Sequence, residues 1–321
     1  MRKDIYVLKR DGRKELLNYE KVNKVLEWAT DGISSVSASD VAMNAKLQIY
    51  SGINTSDIHR VLIQSAADMI TEDTPNYQFV AARLVSYKLR KEVYGDFKPH
   101  SLARVIIDNV DREVYDGNIM KLYNRDEIDE LDAYIKHDRD DTFTYAGMEQ
   151  FRGKYLVQDR RTKQCYETPQ ILYMMVAATL FAKETTNKLA WVKHYYDAIS
   201  QFYISLPTPI MAGVRTPTRQ FSSCVLIESG DSLDSINATS TSIVKYISKK
   251  AGIGIGAGSG TRTTDSLFGD MLQLSTQIGD TQELLKPFTF VPVSSIQQAP
   301  QLRTRPPGML TNSTLLQRYR Q

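Results

Sequence analysis

Ser205-Leu-Pro-Thr-Pro-Ile-Met-Ala-Gly-Val-Arg-Thr-Pro-Thr-Arg-Gln-Phe-Ser-Ser-Cys224-Val-Leu-Ile is the stretch from which the fold is read. Its three prolines, Pro207, Pro209 and Pro217, fix the backbone and remove donors, which describes a rigid loop rather than the interior of an element. Two arginines and a cluster of hydroxyls share that loop. Cys224 stands where the loop enters a short apolar, strand-like run, Cys-Val-Leu-Ile. A reactive side chain is held in this way at the edge of a cavity, although on residue type alone a buried structural thiol is the commoner use of cysteine.

Working outward, 321 residues give room for two domains, or more if they are small. Apolar residues make up 42%, enough for a core, and a formal charge of +3 is too mild for a nucleic-acid groove. No apolar run approaches the roughly 18 residues of a membrane span, and Met1-Arg-Lys-Asp-Ile-Tyr-Val lacks a signal-peptide apolar core. The two cysteines, Cys165 and Cys224, lie far apart in unlike contexts, as in a cytoplasmic protein with reduced thiols.

Ile5 to Arg10 has a strand pattern, Asp11-Gly12 a hairpin signal, and Arg13 to Leu17 the return strand. Asn18 is placed to cap a helix with Glu20 in its first turn and Val22, Val25, Leu26 and Ala29 on one face. A second helix opens at Thr55 or Ser56 and carries Ile58, Val61, Leu62, Ala66 and Met69. A third opens at Thr74-Pro75 and ends at Gly95. A hairpin with about three helices is a self-contained α+β unit. Its cations gather at the hairpin and at helix starts, where free N–H groups suit a triphosphate. For any single lysine a solvated surface is the simpler account.

Residues 100 to 205 read as mostly helical, with Ile171 to Ala182 as a buried core helix. His137-Asp-Arg-Asp-Asp141 reads as a solvated salt-bridge knot before it reads as a metal site. Cys165 lies in a polar, turn-like segment. Ala251 to Gly260 scans as a dinucleotide fingerprint, but no amphipathic helix opens after it, and the preceding Ser242 to Lys250 reads as a helix end. From Ser259 onward the chain turns rich in Thr, Ser, Gln and Pro. Short helices fit near Leu267 to Leu274 and Asp280 to Leu285, and the remainder reads as an extended or disordered tail, either inert or a docking arm.

Leu206-Pro-Thr-Pro-Ile-Met, Arg215-Thr-Pro-Thr-Arg-Gln-Phe-Ser-Ser-Cys224 and Gly230-Asp-Ser-Leu-Asp-Ser-Ile236 together resemble the large subunit of class I ribonucleotide reductase, of the Ia type. Val7-Leu-Lys-Arg-Asp-Gly, Thr55-Ser-Asp-Ile-His and Tyr77-Gln-Phe-Val-Ala-Ala-Arg resemble its ATP-cone. Gly153-Lys-Tyr-Leu-Val-Gln and Phe202-Tyr-Ile-Ser-Leu-Pro are similar to its helical domain. The resemblance implies an ATP-cone over 1–95, a helical domain over 96–204, the start of a ten-stranded α/β reductase barrel over 205–258, and an unmatched segment over 259–321. It implies Cys224 as one of two cysteines that form a disulfide as the ribose 2′-hydroxyl is reduced, with Thr208 and Ser223 lining the substrate pocket. Val7, Lys9, Arg10, Glu15, Asn18, Lys21, Thr55, His59 and Lys91 become contacts for ATP (on) or dATP (off). Asp231, Ser232 and Leu233 begin a specificity site for other nucleoside triphosphates. The glycine run becomes a strand into an effector loop, with Gly256 where the family has asparagine. Asp231 to Lys250, with Ile236, Ile243, Val244 and Ile247, becomes part of a dimer interface.

The same resemblance implies partners: a radical-generating di-iron small subunit, thioredoxin or glutaredoxin, and a second copy of the chain, in the cytoplasm (the host's, if phage-encoded). No metal, membrane or direct nucleic-acid contact is expected of this chain. The family's thiyl-forming cysteine, second redox cysteine, active-site asparagine and glutamate, and C-terminal cysteine pair have no counterpart in the 321 residues. A lone strand and helix cannot close a barrel either. The expectation is therefore a split large subunit, inactive alone and completed by a second chain. The alternatives are a non-catalytic ATP/dATP-binding regulator and an inactive truncated product.

Overall fold

A computed structural model describes residues 5–9, 12–159, 161–218, 220–230, 232–248 and 251–257. Arg10, Asp231 and everything expected of residues 258–321 lie outside the described residues. The chain divides into two units, 1–223 with 249–251, and 224–248 with 252–321.

The first unit opens with β1 (Tyr6–Leu8) antiparallel to β2 (Lys14–Leu16), Val7 opposite Glu15. Gly12 turns the hairpin at φ +81°, a conformation that costs glycine little. Then follow α1 (Tyr19–Thr30), α2 (Ala38–Lys46), β3 (Ile53–Asn54), α3 (Thr55–Ala67) and α4 (Tyr77–Tyr94). β3 pairs parallel to β1, giving the order β2-β1-β3. Asn18 caps α1 by accepting the Lys21 N–H at 3.1 Å, and α4 ends at Gly95 with φ +73°.

The structure corrects the count and one boundary. Among the described residues there are four helices here, because α2, capped by Ser37 on the Asp40 N–H, is too short to show a long apolar period. A third strand of two residues joins the sheet. The last helix starts at Tyr77, not Pro75, because the Thr74 hydroxyl is spent on the Met69 carbonyl at 2.7 Å and a tighter turn precedes the helix.

The helical layer continues with α5 (Leu102–Asp111), α6 (Ile119–Leu122), α7 (Arg125–Tyr134), a 3-10 segment (His137–Thr142), α8 (Tyr145–Gln150) and a π-helical turn (Phe151–Tyr155). It closes with α9 (Pro169–Leu180), α10 (Lys188–Ser200) and α11 (Thr208–Gly213). α9 is buried at every position from Pro169 to Ala178, the central helix that its apolar run announces. α11 corrects the reading of a proline loop: Pro209 sits in the first turn, where its missing N–H has no helical acceptor to serve.

A buried ion pair ties the opening motif to this layer. Arg215 and Glu167 are both inaccessible to solvent. Glu167 takes two bonds from the Arg215 guanidinium, one from the Tyr115 hydroxyl and one from the Val157 N–H. Arg215 also donates to the carbonyls of Met211 and Tyr155, and its own carbonyl accepts from Asp116. Removing one partner of such a pair strands the other charge in the interior.

The second unit is β4 (Cys224–Ser229), α12 (Leu233–Ile247) and β5 (Gly252–Ala257), the strands parallel and in register from Cys224–Gly252 to Ser229–Ala257. The glycine run is thus a strand, as the resemblance implies, and it pairs with the strand that Cys224 opens. Glu167→Gln is expected to cost about 3 kcal/mol or more in urea unfolding, and Glu167→Gln with Arg215→Met less than the two single losses added; strict additivity would contradict the pairing.

Candidate functional site

Two helix beginnings and one hairpin meet around a cavity of about 460 Å³ in the first unit. From the hairpin come Val7, Lys9 and Glu15, from the start of α1 Asn18 and Lys21, from the start of α3 Thr55 and His59, and from the end of α4 Lys91. These are eight of the nine residues assigned to the activity site from sequence; the ninth, Arg10, lies outside the described residues. Val7 and His59, 52 positions apart in the chain, are brought to one wall by the β1–β3 pairing.

The cavity has a cationic rim and an apolar floor. Lys9 Nζ lies 3.1 Å from Glu15 Oε2, and Lys91 Nζ 2.9 Å from the Asp96 carboxylate. The hydrogen bond from Lys91 holds the Asp96 carboxyl below the usual carboxylate range. The first-turn amides of α3 have no side-chain cap, since Asn54 turns its amide to Asp57 instead. Uncapped amides at a helix N-terminus, with lysines nearby, form an anion-binding surface. Val22, Val25, Ile58, Leu62 and Tyr87 supply the apolar floor, and Tyr87 stands 5.3 Å from the His59 ring. Sequence reasoning missed Tyr87, Arg13, Ser56 and Gly95, which also line the cavity. The available signal was the i, i+4 spacing of Tyr87 and Lys91, which puts both on one helix face.

Thr208 opens α11 half-buried, and Ser223 is exposed. Cys224 is free and exposed at the start of β4, opposite Gly252. Cys224, Leu226 and Glu228 share a strand face with Gly252, Gly254 and Gly256, so β5 places no side chain beside the thiol. At Gly254 a Cβ would come within 2.7 Å of the Leu226 side chain. Ser232 caps α12 by accepting the Ser235 N–H at 3.2 Å, and Leu233 is exposed in the first turn.

Two other expectations are corrected. Cys165 follows a polar turn, as read, but is itself buried: it bridges to Gln158, and its N–H donates to Glu92 at 2.8 Å. Burial pushes its thiol up to about 12. The His137–Asp141 cluster is solvated only in part: Asp138 is exposed, but the cluster closes inward at Asp140. Asp140 is fully buried, 3.7 Å from Arg90 and accepting from Gln170 at 3.0 Å, because α4 and α9 close over the segment. Burial raises its carboxyl to about 7 and lowers the His137 imidazole to about 4. Among the described residues no group of histidines, cysteines and carboxylates could hold a metal ion, and no helix is long and apolar enough to cross a membrane.

Residues 5–92 match the family model of the ATP cone domain, and residues 141–219 match that of the ribonucleotide reductase all-alpha domain. In these two domains the chain belongs to the ribonucleotide reductase large-subunit family. It is 53% identical over 259 residues to the ribonucleoside-diphosphate reductase 1 subunit alpha of Salmonella typhimurium and, to the same degree, of Escherichia coli. It is 47% identical over 254 residues to the ribonucleoside-diphosphate reductase subunit alpha of Enterobacteria phage T4. These matches cover 80%, 80% and 79% of this chain. The chain spans about a third (34%) of the length of each of these relatives.

Native protein is expected to take up one equivalent of maleimide, at Cys224, and a second only in denaturant; two fast equivalents would contradict the burial of Cys165. The pH dependence is as specific. Between pH about 4 and 7 the unfolded Asp140 ionises while the folded one stays neutral, so its contribution to stability is lost as pH rises through that window. The unfolding free energy of Asp140→Asn relative to wild type should therefore rise from pH 4 to 7, and a flat difference would refute the assignment.

Proposed function

We propose that this chain is the regulatory and amino-terminal catalytic portion of a ribonucleoside-diphosphate reductase large subunit. The observation that carries this reading is the cavity that gathers Lys9, Asn18, Lys21, Thr55, His59 and Lys91 from four separate elements. A triphosphate suits the amides and cations of its rim, and an adenine base suits the apolar floor with Tyr87. ATP there leaves the enzyme on, and dATP turns it off. Val7, Glu15 and Arg10 complete the contacts, Glu15 by holding Lys9 in place.

The second unit supplies Cys224. Reduction of the ribose 2′-hydroxyl takes two electrons, which two thiols provide as their sulfurs join in a disulfide and the hydroxyl leaves as water. Cys224 is one of these thiols. Cys165, buried and held protonated, is unsuited to be the other. The remaining barrel, with the thiyl-forming cysteine, the second redox cysteine and the substrate-binding asparagine and glutamate, is supplied by residues outside these 321. Thr208 and Ser223 hold the substrate, and Asp231, Ser232 and Leu233 open the specificity site. A di-iron small subunit supplies the radical, thioredoxin or glutaredoxin the reductant, and Asp231 to Lys250 a dimer contact in the cytoplasm.

CDP reduction tests this directly. The chain mixed with the complementary barrel fragment and the small subunit turns over, and Cys224→Ser abolishes turnover with thioredoxin while assembly persists. Turnover from the chain and small subunit alone contradicts complementation. Lys9→Ala or His59→Ala raises the dATP concentration needed for inhibition about tenfold or more, the loss of one charge-assisted contact. An unchanged inhibition curve contradicts the cone assignment.

A further inference from the structure

The last turns of α4 touch both the nucleotide cavity and the helical layer, and they differ in how well their polar groups are satisfied. Tyr87 and Lys91 line the cavity. Phe97, just beyond the helix, stacks on Tyr87 with centroids 5.2 Å apart, and the Arg90 guanidinium lies 4.9 Å over the Phe97 ring. From that seat Arg90 Nη2 donates to the His137 carbonyl at 2.8 Å. The same nitrogen is 3.7 Å from Asp140 Oδ2, beyond hydrogen-bond distance. Asp140 Oδ2, Arg90 Nε and His137 Nδ1 are buried with no hydrogen-bond partner. The other Asp140 oxygen accepts from Gln170 on α9, which in turn accepts from the Tyr196 hydroxyl.

Arg90 therefore has two acceptors within reach and bonds one. A movement of about 1 Å would bring its guanidinium to charge-assisted hydrogen-bond distance from Asp140. A buried group left unsatisfied in one arrangement and satisfied in another is a two-state element. The neighbouring contacts of α4 offer no such choice: Glu92 accepts the Cys165 N–H at 2.8 Å, and the Tyr94 hydroxyl meets Thr168 at 2.9 Å.

We propose that Arg90 couples the nucleotide cavity to the helical layer. A nucleotide packed against Tyr87 shifts the Tyr87–Phe97 stack, and the guanidinium riding on Phe97 exchanges the His137 carbonyl for the Asp140 carboxylate. The 3-10 segment His137–Thr142 then re-seats against α9. This reading deepens the regulatory role proposed above and rests on it.

Hydrogen exchange on the full chain, with and without saturating dATP, tests the coupling. The expected result is a change in amide protection across residues 137–142 of about fivefold or more, the lower end of allosteric couplings, with residues 163–166 unchanged. Arg90→Met keeps its dATP affinity within about threefold, a loss below that of one hydrogen bond, and loses the response at 137–142. Should Arg90→Met fail to melt cooperatively, Phe97→Ala breaks the same link without touching the buried pair, with the same expected loss. Binding of dATP without a change at 137–142, or a full response in the variant, overturns the coupling and leaves the cone reading standing. No binding of dATP removes both.

Discussion

The cavity between the hairpin and the helix starts depends on a parallel pairing two residues long, Val7 with Ile53 and Leu8 with Asn54. β3 ends at Asn54 and α3 begins at Thr55, so this pairing carries the first turn of α3 to the edge of the hairpin. β2, the opposite edge strand, ends at Leu16 beside Tyr6, and α1 begins at Tyr19, so the hairpin leads into a second helix start. A parallel pair needs a long crossover, and α1 and α2 provide it while burying Leu26, Ala29, Val41 and Ala45 in the core. Lys9, Lys21, Thr55 and His59 meet because of that geometry, not because any of them is sequence-local.

A second constraint lies in α4, which is cavity wall at Tyr87 and Lys91 and core at Leu84, Val85 and Leu89. A helix packed on both sides cannot change its environment at one end silently. Its fully satisfied contacts, at Glu92 and Tyr94, fix it. The under-satisfied Arg90, like Arg83 and Ser86 on the same helix, leaves a point at which it can yield.

Much of this was legible in the amino acids because the signals were local. Asn18 followed by Glu20, Asp11-Gly12 and Gly95 each dictate a backbone conformation by their own chemistry, and the hairpin, α1 and the end of α4 follow. The cavity residues were legible through motif resemblance, since spacing alone cannot bring Val7 to His59. What escaped was tertiary. β3 is too short to show alternation, and α2 too short to show a period. The buried state of Asp140 and Cys165 escaped because polar flanking residues mask the apolar cover supplied from elsewhere in the chain. Arg215 read as one more polar residue of a loop, and only its four hydrogen bonds, two to Glu167 and one each to Met211 and Tyr155, show why that motif folds onto the helical layer.

The central claim is that the cavity between the hairpin and the starts of α1 and α3 is an adenine-nucleotide triphosphate site. Titration calorimetry of dATP into the purified chain tests it most directly, repeated with Lys21→Ala. The account predicts saturable binding that weakens about tenfold or more when that cation is removed. No heat of binding, or an isotherm indifferent to Lys21→Ala, would contradict it.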